Sequence, residues 1–273
     1  MNQQIYLDNA ATTKIADAVK AEMEPYLKEN YGNASTSYSI GAEAKKAVEK
    51  AREIIAETLS AKPSEIYFTS GGSESDNWAI KGVAGDNKKK GCHIITSSIE
   101  HHAVLNSCEY LERLGYHVSY LKPDRNGMIS PEVIQDALRP NTTLITIMYG
   151  NNEVGTVEPI SQIGKIARNH GVVFHTDAVQ AYAQIPLSMM QIPVDLLSAS
   201  SHKFHGPKGV GFLYVREGVN IPSFIHGGGQ ERGKRAGTEN VAGIVGMGKA
   251  AELAHINMRR RIQKEMMLRN YLI

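Results

Sequence analysis

Cysteine is nearly absent: Cys92 and Cys108 are the only two in 273 residues. Two thiols cannot build a disulfide framework, and no Cys-x-x-Cys pair offers a zinc site. Long apolar runs are missing as well. No stretch of 18 apolar residues occurs and no signal-peptide core opens the chain, so neither a membrane span nor export is expected. Charge of one sign is also lacking, with 30 Lys and Arg against 28 Asp and Glu and a net +2. Nucleic acid and membrane surfaces are therefore not expected partners. The cluster Lys88-Lys89-Lys90 reads as a solvated loop, because Gly85, Asp86, Asn87 and Gly91 surround it. These absences fit a chain kept in the reducing cytoplasm. What is present is ordinary for a globular protein: 42% of the residues are hydrophobic, enough at this length for a sizeable core.

Strand-like and helix-like segments alternate. Strands are expected at 66–69, 93–97, 118–121, 143–148, 172–174, 194–197 and 210–215. Helices are expected at 74–83, 103–114, from Pro131, and at 160–170 with Gly171 as the stop. Such alternation implies an α/β fold with a mainly parallel sheet covered on both faces. Helical patterns at 17–27 and 42–59 lie outside this core, joined by a turn-rich link. The stretch 241–273 reads as one long helix that stops without a capping glycine. Cys92 precedes a strand and Cys108 sits in a helical stretch, so both are expected to be buried, inert thiols.

Two segments carry the chemistry. His175-Thr-Asp-Ala-Val-Gln180 follows an apolar run and delivers Asp177 at a strand end. Ser200-Ser-His-Lys-Phe-His-Gly-Pro-Lys-Gly209 follows another and delivers Lys203 in a polar turn. A lysine in a Gly/Pro turn is more often a solvated surface group. An acid and a lysine at neighbouring strand ends are, however, what pyridoxal 5'-phosphate requires. The amine forms a Schiff base with the aldehyde, and the carboxylate holds a proton on the ring nitrogen. Thr69-Ser-Gly-Gly-Ser73 lies between a strand and a helix, where free backbone N–H groups and the Ser73 hydroxyl suit an anion. His101 ends a further strand and can face the ring, and Asn151-Asn152-Glu153 reaches the same rim. A lone histidine is more often structural. His101 and His102 are adjacent, a spacing that seldom turns both to one ion, so no metal is expected.

Tyr6-Leu-Asp-Asn-Ala-Ala-Thr-Thr, Phe68-Thr-Ser-Gly-Gly-Ser-Glu-Ser-Asp-Asn, Glu100-His101, His175-Thr-Asp-Ala-Val-Gln, Ser201-His-Lys and Gly227-Gly-Gly-Gln-Glu-Arg-Gly-Lys-Arg-Ala-Gly-Thr-Glu-Asn occur in this order. Together they resemble the class V aminotransferase superfamily, and more narrowly its cysteine desulfurases. The resemblance implies the large domain of a fold type I transferase with a seven-stranded sheet. It places a leading segment at 1–30, the cofactor-binding domain at 31–258 and a helix leading onward at 259–273. It implies that Lys203 carries the cofactor and moves protons, and that Asp177 pairs with the ring nitrogen. His101 would stack on the ring, with Gln180 and Asn152 near the phenolic oxygen. Gly72, Ser73, Ser200 and His202 would hold the phosphate. Thr238 would reach the phosphate of the partner subunit in a homodimer. The implied substrate is L-cysteine, with a sulfur acceptor or scaffold protein as partner in iron–sulfur cluster assembly or tRNA thiolation.

The family's nucleophilic cysteine and its carboxylate-binding arginine lie downstream of the last residue here. The resemblance therefore implies a large domain without its small C-terminal domain, impaired in desulfuration. Two other readings stay open. One is a selenocysteine lyase or related β-lyase; the other is a non-catalytic, cofactor-binding dimerisation module.

Overall fold

The structure is a computed structural model and describes residues 5–273. Its centre is one seven-stranded sheet: β1 (Ile66–Thr69), β2 (His93–Ser97), β3 (His117–Leu121), β4 (Thr142–Thr146), β5 (Val173–Asp177), β6 (Leu196–Ser200) and β7 (Gly211–Val215). The spatial order is β1-β7-β6-β5-β4-β2-β3. The pairings among β2 to β6 are parallel, whereas β7 runs antiparallel to both β6 and β1. Only β7 is reversed, so the other six strands end at one edge of the sheet. The mainly parallel α/β architecture expected from the alternation is present.

The strands are nearly continuous apolar runs because both faces are covered. Side chains alternate between two cores. Ile95, Ile145, Phe174, Leu197 and Phe212 join one core with Ile55, Leu59, Ile163 and Met247. Ile94, Leu144, Leu196 and Leu213 face the other, with Trp78, Ile80, Val104 and Leu111. The first face is covered by α3 (Ser39–Leu59), α7 (Ile160–Asn169) and α8 (Val241–Ile256). The second is covered by α4 (Gly72–Asn87) and α5 (His102–Arg113). Small residues let α8 approach α3 closely: a Cβ on Gly248 would lie 2.8 Å from the Ala51 Cβ.

Two helical expectations need correction. The pattern at 17–27 is two helices, α1 (Asp17–Met23) and α2 (Pro25–Lys28), since Pro25 has no N–H to continue the first. The stretch 241–273 is likewise α8 followed by a separate α9 (Met258–Leu272). Asn257 stands at φ −96° and ψ 1°, and its side-chain Nδ2 donates to the Leu253 carbonyl at 3.2 Å. A short polar side chain bonded to its own turn competes with helix propagation. The short helix α6 (Pro131–Ala137) starts where expected, capped by the Ser130 hydroxyl. Lys88, Lys89 and Lys90 are exposed, as expected, but Gly85, Asp86 and Asn87 belong to the last turn of α4.

One buried ion pair fixes the loop after β7. Arg52 on α3 meets Glu231 through two bonds of 2.8 Å, with both side chains 4% exposed. Glu231 also accepts the Phe68 N–H at 2.9 Å. Glu231 and Arg232 both adopt left-handed backbone, φ 45° and 57°, a conformation held by these contacts.

Candidate active site

A cavity of about 540 Å³ opens at the edge where the six strands end. Its walls come from the segments after β1, β2, β4, β5 and β6. Lys203, Asp177, His101, Gly72, Ser73, Asn152, Gln180, Ser200 and His202 all line it. Ligands of open α/β sheets gather at this edge because strand ends bring separate loops together there.

The phosphate end is built by the start of α4. Gly71 stands at φ 151°, outside the range that L side chains adopt readily, and no side chain caps the helix. A Cβ on Gly72 would lie 2.5 Å from Val179 Cγ2. The uncapped first turn thus sits close against the β5 and β6 loops, and its N–H groups and dipole favour an anion. A neighbouring cavity of about 440 Å³ shares Gly72, Ser73, Ser200 and His202 and adds Lys208. Glu74, in the first turn, lines that neighbouring cavity, paired with Arg235 at 2.7 and 3.1 Å and accepting the Ser70 N–H at 2.8 Å.

Lys203 lies in the 3-10 turn after β6. Its amine donates to the carbonyls of Ala10 and, at 3.1 Å, Ala11. Partial burial lowers its pKa, against the opposing pull of Asp177 and Asp8. That shift favours a free, nucleophilic amine. Gln180 donates to the same Ala10 carbonyl at 2.8 Å. His202 Nδ1 lies 3.1 Å from Thr12 Oγ1, and burial beside Lys203 and Lys208 lowers its pKa. His101 caps α5, its Nδ1 accepting the Ala103 N–H at 3.1 Å, and remains exposed at the cavity.

Acids form the floor. Asp177 is 4% exposed and accepts the Val179 N–H at 2.8 Å. Burial raises its pKa, partly offset by that N–H and by the fields of His101 and Lys203. Asp76 is 1% exposed, and its Oδ1 has no hydrogen-bond partner among the described residues. Oxygens of Asp76 and Asp177 and a ring nitrogen of His101 all lie within 4.8 Å of one another.

Glu100, just before His101, is buried and accepts the Ser97 hydroxyl at 2.6 Å and the Met148 N–H at 3.0 Å. Burial pushes its pKa up to about 8 against these two bonds. The folded state thus keeps a proton that the unfolded chain, near 4.5, releases. Its contribution is full below about pH 4.5 and is lost as pH rises towards 8, by on the order of 1 kcal/mol per pH unit at most. Glu100→Gln removes the titrating group, so its thermal midpoint should fall less between pH 5 and 8 than that of the wild type. Equal slopes in a calorimetric pH series would show that Glu100 does not hold its proton.

Some site residues were not anticipated. Asp8, Ala10 and Ala11 close the cavity from the N-terminal segment, and Asp76, Met148, Gly150 and Val179 complete it, beside Glu153 at the rim where it was expected. Asp76 was legible in principle, being one turn beyond Gly72 and so below the anion end. Asn151 lines no part of the cavity; its Oδ1 accepts the Glu153 and Val154 N–H groups and shapes the turn. Thr238 is exposed and outside this cavity. Cys108 is buried as expected, but Cys92 is partly exposed.

The model of the class-V aminotransferase family matches residues 5–273. The cysteine desulfurase IscS of Dictyoglomus turgidum is 54% identical over 273 residues, covering 100% of this chain and 69% of the relative. That of Methanosarcina thermophila is 53% identical over 272 residues, covering 100% and 67%. The chain belongs to the cysteine desulfurase family. A solved NifS-like protein superposes on this chain with a TM-score of 0.97 at 44% identity, covering 99% of it and 74% of the other. The structure of SspA in complex with cysteine matches at 0.89 and 47% identity, over 91% and 72%. The family depends on pyridoxal 5'-phosphate. The cavity of this chain fits that group on its own observations: a helix start with no side-chain cap for the phosphate, an amine, and buried acid oxygens all line it.

Proposed function

We propose that this chain is the cofactor-bearing part of a desulfurase acting on L-cysteine, releasing L-alanine and passing sulfur to a thiol. The observation that carries this is the meeting of Lys203 and Asp177 in one cavity whose far end is the uncapped start of α4. In this reading Gly72, Ser73, Ser200 and His202 hold the phosphate, Lys203 binds the aldehyde carbon, and Asp177 faces the ring nitrogen. His101 covers the ring, with Gln180 and Asn152 towards its phenolic oxygen. When bound, pyridoxal phosphate supplies an electron sink for the substrate Cα–H bond. Lys203 Nζ takes and returns the Cα proton, which its lowered pKa favours. Asp177 stabilises positive charge at the ring nitrogen from a buried position where the field is strong.

The wider reading has a homodimer that delivers sulfur to an acceptor protein in the cytoplasm, for iron–sulfur clusters or thiolated tRNA. Its support is the relatives' names and Thr238, exposed on a braced loop outside its own cavity, where a partner's phosphate could be met. No helix among the described residues is long and apolar enough to cross a membrane.

Borohydride reduction of the pyridoxal phosphate-loaded protein, followed by peptide mapping, tests the site. The label is expected on Lys203 and not on Lys208, which is exposed in the neighbouring cavity. Label on Lys208, or on no lysine, would remove the reading. Light scattering on the same preparation is expected to give a dimer; a fully loaded monomer would contradict the shared site.

A further inference from the structure

We propose that Asp76 and Asp177 form a carboxyl pair sharing a single proton, held on Asp76, so that Asp177 alone presents negative charge to the cavity. Its meaning for the reaction rests on the pyridoxal phosphate reading above. The pair itself follows from geometry.

Asp76 projects from α4 and Asp177 ends β5, yet oxygens of the two lie within 4.8 Å, and both side chains are almost wholly buried. Two like charges this close in a dry setting do not both ionise. The partners of each decide where the proton rests. Asp177 accepts the Val179 N–H and feels Lys203 and His101. Among the described residues Asp76 has no Lys or Arg in ion-pair range, although His101 lies within 4.8 Å of it too. Its nearest basic group is His175 on β5, with Nε2 3.6 Å from Oδ1. Burial lowers that ring's pKa to about 3, so it is neutral. Both its nitrogens are already engaged, Nδ1 with Thr146 Oγ1 at 2.8 Å and Nε2 with Ser198 Oγ at 3.0 Å.

Glu100, from the loop after β2, keeps its own proton at neutral pH and so leaves Asp177 as the charge that faces Asp76. Burial and the Asp177 charge thus both disfavour a charge on Asp76, and the neighbouring Ser198 hydroxyl is the one group that favours one. The partnerless Oδ1 is the atom left to carry the proton. One net charge then faces one positively charged ring nitrogen. Two would leave an excess anion in the floor, and none would leave the nitrogen unpaired. Asp76 is a positioning residue in this sense, acting through Asp177.

Infrared spectroscopy with aspartate-selective carboxyl labelling tests the pair and separates it from Glu100. The wild-type protein at neutral pH, both free of pyridoxal phosphate and loaded with it, should show one label-shifted protonated carboxyl band. Asp76→Asn should abolish that band, and Asp177→Asn should retain it. Asp76→Asn should also weaken pyridoxal phosphate binding less than Asp177→Asn, because the amide mimics a protonated acid. No aspartate-derived band in the wild type would overturn the proposal, even if neither variant folds. So would a band that persists in Asp76→Asn and vanishes in Asp177→Asn. The cofactor-free spectrum stands apart from the lysine mapping, so failure of the pair and failure of the site reading are distinguishable.

Discussion

Asp177→Asn should slow exchange of the substrate Cα proton with solvent by about 10²–10³-fold while leaving the fold intact. The carboxylate stands buried at the end of β5, where a charge acts across little water. An amide of the same shape still accepts the Val179 N–H, so the local turn survives. It cannot hold a proton on the ring nitrogen, and the ring becomes a poorer electron sink. Replacing a buried charge by a neutral group also lightens the desolvation cost, so the thermal midpoint should not drop steeply. The measurement is exchange in deuterated water, followed by mass spectrometry of recovered cysteine. Near-wild-type exchange would place Asp177 away from the ring nitrogen.

Alanine formation from L-cysteine by this 273-residue chain should depend almost wholly on added dithiol. Sulfur transfer needs a thiolate that reaches the substrate, and neither cysteine supplies one. Cys108 lies inside α5, and burial, with Glu100 and Glu112 nearby, pushes its pKa up to about 12. At neutral pH only about one thiol in 10⁵ would then be ionised. Cys92 is partly exposed but precedes β2, at the opposite edge from the cavity. The five residues of β2 span roughly 16 Å between them. A Cys92→Ser, Cys108→Ala variant should therefore match the wild type in a coupled alanine assay. Robust alanine without dithiol, lost in that variant, would make one of these two thiols the acceptor.

The strand ends were legible because the apolar runs stop at polar residues. Ile66–Thr69 and His93–Ser97 carry the bounds their patterns imply. Asp177 and Lys203 could be paired in advance because each follows such a run. Strand order was not legible, since nothing local to Ile66–Thr69 says that its neighbour is β7. The break at Asn257 was hidden because the apolar pattern continues across it, while the interruption comes from one side-chain bond. The N-terminal wall escaped because Ala10 and Ala11 contribute carbonyls, which any residue type carries. Asp76 escaped because it reads as one more polar residue on a helix. Only tertiary packing seals it beside Asp177.

The pairing of β1 with β7 has a consequence for how the protein is made. At ribosomal speeds of about 5–20 residues per second, β1 leaves the ribosome roughly 7–30 s before β7 is complete. During that interval one strand of the sheet has no partner, while β2 to β5 can already pair in sequence. The contact between Lys203 and Ala10 spans 193 positions and can close only after β6 has been added. The cavity is therefore among the last features to form, and the nascent chain must keep Ile66 and Phe68 from other edges until then.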